Sequence, residues 1–290
     1  MCLGKFPYSL MSVPPGTGTA MALAMSRKMP SHHRRAVGED EFDNIVTDAA
    51  QYGRVQFWDA YFVGEPEPFE WYYGYEYWKA AINESIPDKS KRVMIAGVGS
   101  SSMPEDMVSD GYTDIVAQDI SRAAIAQLRI RCKHLPEIKF EACNMTDSNL
   151  EKGTYFAIID KALLDSMMCA DMGPESVQQY VSEVERLLDP EGGVFIIISH
   201  SNPEDMLPLL EQYDVSEPFY TPWYIEVQAV LKQQQFDKEE LDADNPDHLY
   251  WVYIATIDPR LVKIKRERAE KEKNKKKAVY KKPTMQAPNL

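Results

Sequence analysis

The chain has 290 residues, 44% of them hydrophobic and 11% aromatic, with a net charge of −13. That length can bury one large core, and no apolar run approaches the roughly 20 residues of a membrane span. Four cysteines (Cys2, Cys132, Cys143, Cys169) and five histidines show no CxxC or Cys/His spacing, so reduced thiols and no metal site are expected. The charge is segregated. Residues 1–38 hold five Lys/Arg and no acid, and residues 260–290 hold twelve Lys/Arg against three Glu, which leaves residues 39–259 at a net −27. A segment that acidic repels nucleic acid and attracts basic partners.

Three parts follow in chain order. Residues 1–38, rich in Met, Ser, Pro and Gly, read as a disordered or targeting extension; the acid-free composition makes an organelle transit peptide the alternative to a cytoplasmic protein. Residues 39–259 read as one folded domain. Residues 260–290 read as a basic, Lys/Glu-rich tail, whose contact with nucleic acid is left open. Early in the domain, residues 52–82 crowd together Tyr52, Phe57, Trp58, Tyr61, Phe62, Phe69, Trp71, Tyr72, Tyr73, Tyr75, Tyr77 and Trp78, more than one helix face needs. Strands are expected at Val93–Ala96, Asp114–Gln118, Ile138–Ala142, Ala157–Asp160, Val194–Ser199 and Tyr250–Thr256. Helices are expected between most of them, at Ser121–Cys132 and Ser176–Leu188 among others, and Asp189-Pro190-Glu191-Gly192-Gly193 is a turn launching a buried strand. Alternating strands and helices predict an α/β, Rossmann-like doubly wound sheet.

The first strand runs into Gly97-Val98-Gly99-Ser100-Ser101, and the second ends on Asp119. Gly97 and Gly99 allow a sharp turn with no side chain between backbone and ligand, and Asp119 can accept from both hydroxyls of a ribose. A dinucleotide fold wants a third glycine where Ser102 stands, ahead of Pro104. A phosphate-free adenosine compound, S-adenosylmethionine, fits better, with its amino acid part across the Gly97–Ser101 turn. Asn144 and Met145 follow the third strand, where an amide and a backbone N–H can read an adenine edge. Asp160 and Lys161 follow the fourth, where the strand order of such a sheet reverses.

These blocks carry a resemblance. Trp58-Asp59, Phe69-Glu70-Trp71-Tyr72, Gly97-Val98-Gly99-Ser100-Ser101 and Asp160-Lys161-Ala162-Leu163-Leu164-Asp165 are similar, in order, to the YWD, FEWY, GCGNS and DKGTLD of the seven-β-strand methyltransferases that modify elongation factor 1-alpha. The resemblance covers about residues 50–200. It implies a class I, seven-stranded methyltransferase sheet with helices on both faces, a reversed last strand and S-adenosylmethionine as methyl donor. It also implies cofactor contacts from Trp58, Phe62, Trp71, Gly97, Gly99, Ser101, Asp119, Ile120, Asn144, Met145 and Lys161. Three positions depart from the family: Phe62 replaces a usual Tyr, Asn144 a usual Asp, and Ala162-Leu163 the Gly-Thr of DKGTLD.

The expected reaction is methylation of a lysine or N-terminal amine of a basic protein, elongation factor 1-alpha being the partner the resemblance implies. Trp71, Tyr72 and their neighbours would form a dry acceptor channel, helped by cation–π attraction. Asp160 and Asp165 are the candidates for orienting the amine or passing its proton to water, with capping of the next helix as the alternative for Asp165. A small-molecule methyltransferase and a non-catalytic protein retaining the fold are the rival readings. A nicotinamide-dependent oxidoreductase is disfavoured by the missing third glycine and by the absence of a Tyr-x-x-x-Lys.

Overall fold

A computed structural model describes Tyr52 and residues 54–64, 67–169, 173–211, 223–233, 242–243 and 245–260, with isolated positions 263, 267 and 271. The expected extension over 1–38 and most of the expected tail over 260–290 lie outside the described residues. Among the described residues two helices come first, α1 (Val55–Gly64) and α2 (Tyr75–Ser85), joined through the aromatic segment that contains Phe69–Tyr73. There follow β1 (Val93–Ala96), α3 (Met103–Ser109), β2 (Ile115–Asp119), α4 (Arg122–Arg131), β3 (Ile138–Ala142) and β4 (Ala157–Lys161). The remainder is α5 (Leu163–Met168), α6 (Gly173–Leu187), β5 (Val194–Ser199), α7 (Pro203–Glu211), β6 (Trp223–Leu231) and β7 (Leu249–Ile257).

The seven strands form one sheet in the order β3-β2-β1-β4-β5-β7-β6. β3, β2, β1, β4 and β5 are parallel, while β7 runs antiparallel to both β5 and β6. From β1 the chain builds outward first through β2 and β3, then through β4 and β5. Right-handed crossovers therefore place α3 and α4 on one face and α5 and α6 on the other. The direction of winding reverses between β1 and β4, and a crevice opens beyond their carboxyl ends. β1, β2, β4 and β5 are buried along their whole length, as strands covered on both faces should be.

The local chemistry explains the boundaries. Ser121 caps α4, its side chain accepting from the Ala124 N–H at 3.2 Å. Ser102 precedes α3, with Pro104 in that helix's first turn, where its missing N–H has no intrahelical partner to lose. In α6, Val177, Tyr180, Val181, Val184 and Leu187 recur at helical spacing and are all buried. The six strands read from the apolar pattern are present to within a residue or two. β6 was not among them: Trp223 is its only fully buried residue, and at the sheet edge neither face is covered enough to demand a continuous apolar run. Among the described residues no helix is long and apolar enough to cross a membrane.

Candidate active site

The crevice at the β1/β4 reversal opens into a cavity of about 270 Å³. All eleven residues expected to contact a cofactor line it: Trp58, Phe62, Trp71, Gly97, Gly99, Ser101, Asp119, Ile120, Asn144, Met145 and Lys161. They come from the ends of four parallel strands and from the aromatic segment ahead of the sheet.

The floor is the turn after β1. Gly97 and Gly99 both have positive φ, 61° and 55°, in the region that a side chain disfavours. A Cβ on Gly97 would also stand 2.8 Å from the Leu163 Cβ, and one on Gly99 would stand 3.1 Å from the tip of the Phe62 ring. The turn is tied to β2. The Val98 N–H donates to the Gln118 carbonyl at 2.9 Å, the Gly97 N–H to Gln118 Oε1 at 3.2 Å, and the Gly99 N–H to Asp119 Oδ2 at 2.8 Å. Gln118 in turn donates from Nε2 to the Cys143 carbonyl at 2.6 Å, so one side chain links the ends of β1, β2 and β3. The sequence reading placed Gln118 at a strand end but did not assign it to the site; its neighbour position to Asp119 was the available signal.

Asp119 is buried, and its second oxygen accepts from the Ser121 N–H at 2.8 Å. Burial pushes its carboxyl up to about 6 despite the Ser121, Gly99 and Ile120 amides, and the nearby Asp59 carboxylate adds to the rise. Four lone-pair sites against three amides leave the carboxylate room to accept from a hydroxyl donor. Asp59 itself accepts from Ser121 Oγ at 2.6 Å, which ties α1 to the first turn of α4. The Asp of the Trp-Asp block is thus a bracing residue, and it sets Trp58 over the cavity. The Trp58 indole donates to the Tyr52 carbonyl at 2.7 Å and stacks on Phe62 with centroids 5.9 Å apart. Phe62 therefore serves the wall as a ring, without the hydroxyl that a tyrosine would bring. Asn144 Oδ1 accepts from the Thr146 N–H at 3.0 Å, which holds the turn after β3 against the opening.

The segment Phe69–Tyr72 arches over the same turn. The Phe69 N–H donates to Ser100 Oγ at 3.2 Å. Lys161, at the end of β4, donates to Glu70 Oε2 at 2.6 Å and to the Trp71 carbonyl at 2.7 Å. Burial pulls the Lys161 ammonium below its ordinary value, and the Glu70 carboxylate opposes that shift. Tyr72 and Tyr73 follow with φ of 56° and 77°, a left-handed pair that turns the chain into α2. The cost of two such non-glycine residues is about 1–2 kcal/mol each. It is offset by what the turn achieves: the Trp78 indole donates to the Tyr72 carbonyl at 2.8 Å in the core.

Three residues expected to act on the acceptor stand elsewhere. Asp160, Asp165 and Tyr72 do not line the cavity. Asp160 accepts from the Leu163 and Leu164 N–H groups and from the Tyr180 hydroxyl, at 2.9, 3.1 and 2.9 Å, so it caps α5 from within the core. Burial pushes its carboxyl up to about 7. Asp165 accepts from the Tyr72 hydroxyl at 2.9 Å, from Ser199 Oγ at 2.6 Å and from Ser201 Oγ at 3.0 Å, and has no exposed surface. Tyr72 is buried, with its hydroxyl raised well above the ordinary tyrosine value by burial and by that same carboxylate. The expected acceptor-orienting set is therefore a supporting layer under β4 and β5, not a wall of the cavity. Trp71, by contrast, does face the cavity. Further wall residues that the sequence reading did not assign to the site are Tyr52, Val55, Tyr61, Phe69, Ser166 and Met167.

Ala162 stands where the similar family has glycine, and its φ of 76° is in the left-handed region that glycine tolerates.

Comparison with known proteins agrees with this geometry. A family model described as a methyltransferase domain matches residues 95–196. The chain is 26% identical over 163 residues to EEF1A lysine methyltransferase 4 of Mus musculus, covering 53% of this chain and 63% of that relative. It is 30% identical over 160 residues to the eEF1A lysine and N-terminal methyltransferase of Bos taurus, covering 53% of this chain and 22% of the other. The chain thus spans under two thirds of the length of these curated relatives. A solved structure described as "Conversion of a Disulfide Bond into a Thioacetal Group during Echinomycin Biosynthesis" superposes with a TM-score of 0.51 at 17% identity, covering 76% of this chain and 99% of that one, a likeness of fold.

Proposed function

We propose that this chain is an S-adenosylmethionine-dependent methyltransferase whose acceptor is an amine of a basic protein, a lysine side chain or an N-terminus. The observation that carries the reading is the convergence of the glycine turn, Asp119, Asn144, Met145 and Lys161 with the aromatic wall on one cavity. The residues fit an adenosine with an amino acid tail. Asp119 offers a free lone pair to the ribose hydroxyls, Asn144 and Met145 flank the adenine side, and the Gly97–Ser101 turn underlies the tail. When bound, this cofactor supplies a methyl group activated for in-line displacement. The chain's own residues supply position and dryness, which can contribute on the order of 7–11 kcal/mol to such a reaction.

A lysine acceptor of pKa about 10.4 must arrive neutral. Trp58, Phe62, Phe69 and Trp71 on the wall favour the uncharged amine by excluding water. Since Asp160 and Asp165 are turned into the core, desolvation rather than a carboxylate base prepares the amine, and its proton leaves to water. The net −27 over residues 39–259 suits a basic protein partner. The named activities of the relatives make elongation factor 1-alpha the acceptor to test first. On this reading the enzyme works where that acceptor does, in the cytoplasm.

The decisive experiment is a thermal-shift titration with S-adenosylhomocysteine and, separately, with NADH. Ligand at 100 times its dissociation constant should add about 2.7 kcal/mol of stability. A shift with S-adenosylhomocysteine alone supports the proposal; no shift removes the methyl donor. Incubation with labelled S-adenosylmethionine and a lysate then identifies the acceptor. Label on a band of elongation-factor size supports the protein-amine reading, whereas label confined to small molecules replaces it with a small-molecule methyltransferase.

A further inference from the structure

Glu70 belongs to the arch over the glycine turn, yet its side chain is not part of the cavity wall. Its carboxylate gathers a dense set of donors. Ser101 Oγ approaches its two oxygens at 3.0 and 2.9 Å, the Ser102 N–H donates to Oε1 at 2.7 Å, the Ser102 hydroxyl is shared between Oε1 at 3.0 Å and Asp106 Oδ2 at 3.1 Å, and Lys161 Nζ donates to Oε2 at 2.6 Å. Two of those donors, on Ser101 and Lys161, belong to residues that line the cavity. Hydroxyls, a backbone N–H and an ammonium side by side are the groups that a phosphate seeks. Here a carboxylate of the chain itself already holds them. The pair is poor in water, with the Lys161 side chain 6% exposed and that of Glu70 21% exposed. Asp119 places a carboxylate on the cavity wall itself.

We propose that Glu70 is a specificity-determining residue: by occupying Ser101, Ser102 and Lys161, it closes the adenosine cavity to phosphate-bearing adenosine compounds and reserves it for ligands with a phosphate-free tail. Glu70 acts through Ser101 and Lys161 and touches neither ligand nor reacting atoms. The inference rests on the methyl-donor reading above. It also assigns a physical cause to the choice of cofactor: selection lies in an internal anion supplied by the aromatic arch, beyond the missing third glycine.

Isothermal calorimetry on the full chain tests it, with S-adenosylhomocysteine and ADP as two adenosine probes that differ in the tail. The wild type is expected to bind S-adenosylhomocysteine at least a hundredfold more tightly than ADP. Glu70→Gln, which keeps the shape and an acceptor for the Ser102 N–H, should narrow that ratio tenfold or more by freeing the Lys161 ammonium. The double variant Glu70→Gln/Lys161→Met removes the freed charge as well and should widen the ratio again. Ligand-free melts establish that each variant is folded. A wild type that binds ADP within tenfold of S-adenosylhomocysteine overturns the inference without any variant. So does a Glu70→Gln chain in which both affinities fall by the same factor, the mark of a merely structural residue. A wild type that binds neither probe removes the methyl-donor reading and this inference with it; binding of S-adenosylhomocysteine with an unmoved ratio removes this inference alone.

Discussion

Asp119 at the end of β2 and the pair Asp160 and Asp165 at and just beyond the end of β4 are all nearly free of water, but they face in different directions. Asp119 looks into the cavity with only backbone amides on its oxygens, the Gly99 and Ser121 N–H groups among them. Asp160 and Asp165 look into the core, where tyrosine and serine hydroxyls and helix amides take up their oxygens. A carboxylate near a strand's carboxyl end is thus an equally good candidate for a ligand contact or for a brace. What separates the two is how many of its lone pairs the fold has already filled. The β1/β2 rim leaves some open; the layer under β4 and β5 leaves few.

That contrast can be broken by substitution. Asp165→Ala should cost most, about 4 kcal/mol of stability, because Tyr72, Ser199 and Ser201 lose a buried charged acceptor together. Chemical denaturation measures it, and a stable Asp165→Ala protein would contradict the bracing role. Gly97→Ala comes next, at about 3 kcal/mol, from left-handed strain added to the 2.8 Å approach to Leu163. It should also remove binding of S-adenosylhomocysteine in calorimetry. Asp119→Ala should cost less stability than Asp165→Ala, about 1–2 kcal/mol from the Gly99 and Ser121 amides it leaves without an acceptor, and should weaken that ligand by about 2 kcal/mol, roughly thirtyfold, the worth of hydrogen bonds to an ionised group. Equal losses of stability in Asp119→Ala and Asp165→Ala would erase the distinction between rim and layer.

Proton binding sharpens the same comparison through a different measurement. Burial lifts Asp119 to about 6 and Asp160 to about 7, against an unfolded value of about 3.9. Between about pH 4 and 7 the folded chain holds more of these protons than the unfolded one, so their contribution is most favourable at the acid end and is lost as pH rises through 6 and 7. Ligand-free stability should fall across this window by on the order of 3 kcal/mol per group, about 1.4 kcal/mol for each unit by which burial raises it. Affinity for S-adenosylhomocysteine should move the other way, since the ribose hydroxyls donate to an ionised Asp119. Melts and titrations from pH 5 to pH 7.5 read both trends, and an affinity that falls with pH would argue against Asp119 as the ribose acceptor. The smallest effect belongs to Ala162→Gly, which should stabilise the chain by somewhat under 1 kcal/mol by relieving the φ of 76°. A destabilised Ala162→Gly protein would show that the methyl packing outweighs the strain.

The cavity wall was more legible in the sequence than the layer beneath it, for a physical reason. A turn that approaches a ligand requires glycine, and a strand followed by that turn fixes where Asp119 must lie, so residue type and spacing suffice. Whether Asp165 faces ligand or core depends on Ser199 and Ser201, some 35 residues further along, and no local pattern records that meeting. Glu70 was visible inside its Phe-Glu-Trp-Tyr block, but its role depends on Lys161 across the sheet. The same holds for the fold. Strands buried on both faces carry continuous apolar runs and stand out; β6, with one buried residue at the edge, does not. Its alternation of Ile225, Val227, Ala229 and Leu231 with Tyr224, Glu226 and Gln228 was the signal available.

The position of β7 between β5 and β6 has a consequence for how the protein is made. β5, with Phe195, Ile196, Ile197 and Ile198 all fully buried, leaves the ribosome well ahead of the strand that will cover its flank. Until Leu249–Ile257 arrives, the most apolar ribbon of the sheet has one row of backbone donors and acceptors open to any passing chain. The antiparallel pair is thus the last part of the sheet to be translated. Nascent chains stalled before it should collect in chaperone complexes or inclusion bodies, even though every residue lining the cavity has already been translated.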